Sequence, residues 1–246
     1  MIGQKIIHLD TVDSTNNYTA NLQNEGKIKH GTVILAEEQS AGRGQRGASW
    51  SSKAGENLLL SLYLAPDNLS VVHQPALTHF ITISIVDFLR KIGISAQIKW
   101  PNDIYVNDQK IAGILIENTL RSSSIVSSII GVGLNVNQME FEQLNATSIR
   151  KELGNHFQVQ EVLFSWIQEM NKTWQILASG NFDSLKTTYL SHLYLLNEPA
   201  IYSDGLDEFQ GVIRGVDLDG FLLLERDNTI KKYDLKEIKL VGRNVL

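Results

Sequence analysis

There is no cysteine anywhere in the chain. That absence excludes disulfide staples, thiolate metal sites and a cysteine nucleophile, and it fits a reducing, cytoplasmic home. Long apolar runs are missing too. Nowhere do about 18 apolar residues follow one another, as a membrane-spanning helix requires, and the start, MIGQKIIHLDTVDST, has no basic segment leading into an apolar one. The expectation is a protein neither exported nor membrane-spanning. Basic charge is scarce: 22 lysines and arginines stand against 27 acids, for a net charge of −5. No concentrated cationic face is available for a phosphate backbone, so nucleic acid is not an expected partner. No repeat or low-complexity tract occurs. What is there is 246 residues, 43% of them hydrophobic, enough for one large domain and one small one.

Packing alone does not account for the stretch Glu37 to Trp50, EEQSAGRGQRGASW. Gly42, Gly44 and Gly47 free the backbone to turn N–H groups toward one point, and Arg43 and Arg46 add forked cations suited to phosphate or carboxylate. With little apolar surface to bury, the segment is expected to be mobile until an anion orders it; a solvated surface loop is the bland alternative. Its spacing is formally G-x-G-x-x-G. The dinucleotide-binding form of that pattern needs a preceding strand, a helix opening at the last glycine and an acidic residue about 20 positions on. Only the strand, Gly31 to Glu38, is present, and ASWSSKAGEN after the last glycine favours a loop. The dinucleotide reading is rejected.

Taken in order, Lys5 to Leu9 reads as a strand, and Asp13-Ser14-Thr15-Asn16 opens a helix through about Leu22. Ser14 is either its N-cap or one of several short polar groups that hydrogen-bond a ligand. Asn57 to Ala65 is a strand apolar on both faces, and Ser70 to Ile92 a long helix whose middle is apolar nearly all round. His73 and His79 lie in that helix and read as structural, because no partner stands at ligand or triad spacing. Ile94 to Trp100 is a strand stopped by Pro101. A hairpin follows: Ile104 to Val106, a turn at Asn107-Asp108, then Lys110 to Asn118. Lys110 in this apolar strand is either an edge charge or, with Gly113, the floor of a site. Ile125 to Val132 ends in GVGLNVN, where Gly131, Gly133 and Asn135 admit the same two readings. Val159 to Leu177 carries one apolar helical stripe with Trp166 and Trp174 in the core, and Asp183 to Leu193 is a second helix. From Glu198 the pattern turns to short strands, with tight turns at Asp219-Gly220 and Asp227-Asn228, a small β-barrel of about 50 residues.

STNNYTA, EEQSAGRGQRGASW, KWPNDIYVNDQKIAGILIE and GVGLNVN, in this order and at these separations, resemble the catalytic domain of biotin–protein ligases. The resemblance runs from Ser14 to Asn137, and the tail is similar to the SH3-like carboxy-terminal domain of that family. It implies an α+β fold over residues 1–195, a mixed sheet with flanking helices of the class II synthetase type, then an SH3-like β-barrel over 196–246. It also implies a reaction: biotin and ATP, with Mg²⁺, form biotinyl-5′-AMP, and a lysine of a biotin carboxyl carrier protein then takes the biotinyl group.

The resemblance assigns roles residue by residue. Lys110 contacts the biotin carboxyl and the α-phosphate and is the catalytic cation, with Arg43 beside it. Ser14, Thr15, Asn16 and Gln39 bind the ureido ring, for which hydroxyls and amides are fitting partners. Gly42, Arg43, Gly44, Gln45 and Arg46 close over the adenylate. Trp50 is either a stacking surface for adenine or core filler. Gly113 lies with Lys110, while Gly131, Gly133 and Asn135 line the nucleotide side. Asn102 and Asp103 hold Mg²⁺ or orient the incoming amine. Two departures stand out: many family members carry arginine where this chain has Gln45 and Ala48, and there is no room before Ser14 for the helix-turn-helix of the repressor members. The expected protein is therefore monofunctional, without membrane or nucleic-acid partners, and a homodimer is compatible with it. The rivals are a lipoate–protein ligase and a non-enzymatic nucleotide- or adenylate-sensing module, which needs no catalytic cation; a thiol-dependent octanoyl transferase is excluded by the missing cysteine.

Overall fold

A computed structural model describes residues 1–67, 69–142 and 144–243; the side chain of Arg46, singled out above, lies outside the described residues. β1 (Ile6–Val12) leads into α1 (Thr15–Asn24), and β2 (Val33–Gln39) returns parallel to β1. β3 (Asn57–Leu64) follows, then the short β4 (Leu69–Ser70) and α2 (Pro75–Lys91). β5 (Gln97–Lys99), β6 (Asp103–Val106), β7 (Gln109–Arg121) and β8 (Ser124–Asn135) complete a mixed sheet ordered β1-β2-β3-β8-β7-β6-β5, with β4 paired to β8. Three helices end this part: α3 (Ile149–Leu153), α4 (Val159–Ala178) and α5 (Phe182–Ser191).

The centre of the sheet is β3 against β8. Leu58, Leu59, Leu60, Leu62 and Leu64 are all buried, as the run NLLLSLYLA predicts for a strand covered on both faces. On one face α1 packs against β3 and β8; α2 packs against α4, α5 and the β5–β6 end of the sheet. That sandwiched position explains why α2 is apolar nearly all round. From the α4 stripe, Trp166 is fully buried and donates from Nε1 to Ser84 Oγ of α2 at 3.0 Å.

Three expectations are corrected. The long helix starts at Pro75 rather than Ser70, because Leu69 and Ser70 pair with Ile125 and Ser124 of β8, and a proline without an N–H suits the first helical position. His73 consequently sits in a 3-10 turn and stacks on Phe182 at 4.0 Å, while His79 is buried within α2, 4.4 Å from the Tyr189 ring. The strand expected over Ile94 to Trp100 contracts to β5. The five-residue α3, capped by Ser148 Oγ accepting from Lys151 N at 3.2 Å, is too short to show a period in sequence.

The second sheet is antiparallel throughout: β9 (Pro199–Ser203), β10 (Glu208–Val216), β11 (Leu222–Arg226), β12 (Thr229–Tyr233) and β13 (Lys239–Arg243), ordered β12-β11-β10-β9-β13. Register shifts between Ile213 and Gly215 and between Leu240 and Gly242 bend it into the SH3-like form. Asp227 and Asn228 make the β11–β12 turn with φ of 52° and 58°. Among the described residues, no helix is long and apolar enough to cross a membrane.

Candidate active site

A cavity of about 370 Å³ opens between the large sheet and the C-terminal sheet. Its polar end is built where α1 begins. Ser14 has the extended backbone of an N-cap, but its side chain makes no capping bond; it is buried and lines the cavity. The bond to the helix end comes from elsewhere: Gln39, last residue of β2, accepts at Oε1 from Thr15 N (2.8 Å) and Thr15 Oγ1 (3.1 Å). Underneath, the Ser61 hydroxyl of β3 lies 2.5 Å from Asn16 Oδ1 and 2.8 Å from Thr15 Oγ1. Hydroxyls and amides thus hold one another in place at a helix N-terminus.

The floor is flat because it lacks side chains. Gly113 of β7 pairs with Gly133 of β8. A Cβ on Gly133 would run into the Trp50 indole, one on Gly113 would lie 2.9 Å from Trp50 Cζ3, and one on Gly131 would run into the Asn16 amide. These glycines therefore make room for Trp50 and Asn16, the close approach that a bare strand position permits. Trp50 Nε1 and the Tyr202 hydroxyl, both on cavity-lining residues, are buried donors without a partner among the described residues. Both are closed off from the open space of the cavity, Trp50 Nε1 against the backbone of Gly133.

Lys110 reaches this floor through an irregularity in register. Ile104 pairs with Ala112 and Tyr105 with Lys110, leaving Ile111 as an extra residue. With simple alternation Lys110 would share the face of Ala112 and Ile114, both buried in the core; the extra residue turns it to the face of Gly113 instead. There its Nζ lies 2.7 Å from Asp103 Oδ1 and 5.5 Å from the Trp50 ring centre.

The glycine loop is folded over the site. Trp50 N donates to Gly42 O (2.9 Å), Gly44 N to Ala48 O (2.6 Å), and Gln45–Gly47 form one 3-10 turn. Arg43 Nη2 lies 2.7 Å from Glu117 Oε2. The anion expected to order the loop is thus supplied, for Arg43, by the chain's own β7. The same oxygen accepts from Asn16 Nδ2 at 2.7 Å.

Of the residues expected from sequence, Ser14, Thr15, Asn16, Gln39, Arg43, Gly44, Gln45, Trp50, Asn102, Asp103, Lys110, Gly113, Gly131 and Gly133 line one cavity. Two lie outside its lining. Gly42 sits against Trp50 O and Gln39, and Asn135 turns its amide to Thr147 O at 3.0 Å. Asn102 is buried with its amide committed to Ile114 O, and Asp103 is committed to Lys110. Together they form no cage of the kind a resident cation needs, and no group of three or more His, Asp or Glu able to hold a metal occurs among the described residues.

Sequence reasoning does not single out Glu117 or Ser61. The signals were present: Gly113, Leu115 and Glu117 alternate onto one face of β7, and Ser61 is a lone hydroxyl in a leucine strand. Sequence had also offered no reason to place Tyr202, Leu240 and Lys239 of the C-terminal sheet along the far wall.

Comparison with known proteins agrees with this geometry. The model of the biotin/lipoate A/B protein ligase family matches residues 9–135. The bifunctional ligase/repressor BirA of Escherichia coli K12 is 32% identical over 97% of this chain and 74% of its own length. The biotin–[acetyl-CoA-carboxylase] ligase of Paracoccus denitrificans is 30% identical over 78% of this chain and 82% of its own. Among solved structures, the Aquifex aeolicus biotin protein ligase in complex with biotin and ATP superposes with a TM-score of 0.77 at 27% identity, covering 97% of this chain and 99% of that one. The chain belongs to the biotin/lipoate A/B protein ligase family, alongside its biotin–protein ligases.

Proposed function

We propose that this protein joins biotin to one lysine of a biotin carboxyl carrier protein in two steps, with ATP as the second substrate and Mg²⁺ entering as the nucleotide's own counterion. The observation that carries the reading is Lys110 in the cavity floor, beside Asp103 and under Trp50, between the polar end at Ser14–Asn16 and the wall of the C-terminal sheet. A carboxylate oxygen of biotin attacks the α-phosphorus of ATP, the bond to the β-phosphate oxygen breaks, and pyrophosphate leaves. The carrier lysine, as free amine, then attacks the carbonyl carbon of the mixed anhydride; AMP departs and the new amide nitrogen gives up a proton.

Both partners of the first step are anions. A fixed cation beside them favours the approach and matches the charge that develops. We assign that role to Lys110, with Arg43 closing from the loop. Ser14, Thr15, Asn16 and Gln39 suit the ureido ring, whose carbonyl and N–H groups match their donors and acceptors. Trp50 offers a ring face to the adenine, and Gln45 belongs to the closing loop. We read residues 1–195 as the catalytic domain and 196–246 as the barrel, in a cytoplasmic protein. The Paracoccus denitrificans and Aquifex aeolicus proteins are named for biotin and neither for lipoate, so the lipoate reading gains nothing from them. A sensing module needs no catalytic cation, so Lys110 in the cavity lining speaks against it.

The test is to incubate the protein with Mg²⁺, ATP and either biotin or lipoate, and to weigh an added carrier domain. The carrier should gain the mass of a biotinyl group and nothing with lipoate. Lipoylation without biotinylation, or no transfer of either, would overturn the reading.

A further inference from the structure

Asp103 and Lys110 stand on the β6–β7 hairpin, next to the edge of the large sheet, with only the three-residue β5 beyond it. The tip of that hairpin lies beyond the pairing of β7 with β8, which begins at Ala112, and its position decides where the Lys110 ammonium sits. The C-terminal sheet holds it at both ends. At the entry, Trp100 Nε1 donates to Gly220 O at 3.0 Å. At the turn, Asp108 Oδ1 accepts from the Tyr194 hydroxyl at 2.6 Å and lies 2.8 Å from Arg243 Nη2 of β13.

The second of these is a closed triangle. Arg243 Nε is 3.3 Å from the Tyr194 hydroxyl, and its guanidinium lies 5.1 Å from the centre of the Tyr194 ring. Burial and the Asp108 carboxylate push the Tyr194 phenol above its ordinary pKa, which keeps it a donor. Asp108 occupies the turn with φ of 67°, and its carbonyl accepts from Asn145 Nδ2 at 3.0 Å. Two positions on, Lys110 is bonded through its backbone to Asn145 O and from Thr147 N, each at 3.0 Å. A displacement of the Asp108 turn is therefore passed to Lys110 over a very short length of fixed backbone.

We propose that Arg243, acting through Asp108 and Tyr194, is a positioning residue for Lys110: β13 holds the catalytic hairpin in register with the rest of the cavity. The inference rests on the ligase reading for what Lys110 does. Arg243 and Asp108 are both about half exposed, so their ion pair contributes little to global stability. Its effect is geometric, because a shift of about 1 Å at a reacting group is enough to slow a reaction roughly 100-fold.

The experiment compares wild type with Arg243→Met, Asp108→Asn and their combination in single-turnover formation of the adenylate from biotin and Mg²⁺·ATP, with thermal melting in parallel. Arg243→Met should slow the step about 10-fold or more, leave the biotin and ATP concentration dependence within a few-fold, and leave the melting temperature nearly unchanged. The double variant should be no slower than the slower single one. In a Lys110→Ala background, Arg243→Met should add no further loss. Full activity in Arg243→Met, or losses that multiply with Lys110→Ala, would overturn the proposal. Amide exchange over residues 107–110 tests the tether without activity. It should quicken in Arg243→Met even if wild type forms no adenylate, an outcome that would sink the ligase reading alone; unchanged exchange would sink the tether.

Discussion

Glu117 Oε2 lies 2.7 Å from Arg43 Nη2 and 2.7 Å from Asn16 Nδ2, so one carboxylate of β7 joins the glycine loop to the first turn of α1. The two sides of the cavity therefore meet on a residue that touches both. Any anionic ligand that draws on Arg43 competes with Glu117 for it.

Glu117→Gln should loosen the loop of the free protein without unfolding it. The pair is about 40% exposed on both sides, so its worth is at most about 1 kcal/mol. Cleavage by trypsin after Arg43 should accelerate by up to about 5-fold, and biotin with ATP should restore protection. Equal cleavage rates in variant and wild type would show that Glu117 does not hold the loop.

Lys110→Ala should slow adenylate formation by roughly 100-fold or more, as expected on losing a preorganised charge contact. The fold should survive, since the Lys110 side chain is 31% exposed and its backbone bonds persist. Single-turnover kinetics with saturating biotin and ATP read this directly; a normal rate removes Lys110 from the mechanism.

Gln45 lines the cavity within the loop's 3-10 turn and brings an amide there, not a charge. A charge-assisted hydrogen bond contributes about 1.5–3 kcal/mol, and the Gln45 amide supplies part of it. Gln45→Arg should hold biotinyl-5′-AMP longer, by about 10-fold at the lower end of that range. Chasing the preformed complex with excess biotin gives the release rates. Release from the variant at the wild-type rate or faster means that charge at this position does not set retention.

His79 bears on stability. Burial, with a smaller contribution from Lys186, lowers its pKa from 6.5 to about 4. Between those values the unfolded chain binds more protons than the folded one, so stability is full above pH 6.5 and falls as the pH drops toward 4. Lowering the pH to about 5 should cost about 2 kcal/mol from this residue. Urea midpoints at both pH values, compared with His79→Gln, should show a smaller acid loss in the variant; identical losses would assign the acid sensitivity elsewhere.

The parts legible in sequence are those whose cause is local. The leucine run of β3, the Trp166 stripe of α4 and the Asn107-Asp108 turn, with φ of 47° and 67°, follow from side-chain period and turn chemistry over a few residues. The four motifs likewise marked most of the cavity lining, because glycine, arginine and lone polar residues in apolar strands are conspicuous where they stand. Even the local readings failed where a distant partner intervened: pairing of Leu69 and Ser70 with β8 moved the start of α2, and Ser14, though at the N-cap position, makes no capping bond and lines the cavity.

What the sequence determined, then, was the kind of chemistry and the segments that carry it. Which carboxylate Arg43 and Arg243 face was decided only by the tertiary structure. Arg43 meets Glu117 across 74 positions and Asn16 meets the same oxygen across 101, and nothing in the local pattern of either partner names the other. Lys110 faces the cavity only because one extra residue in β7 reverses its side, and Arg243 reaches Asp108 only because β13 folds back beside the hairpin. Side-chain period specifies a face, whereas an ion pair is chosen by the packing of whole elements, which is set by the sum of their buried surfaces.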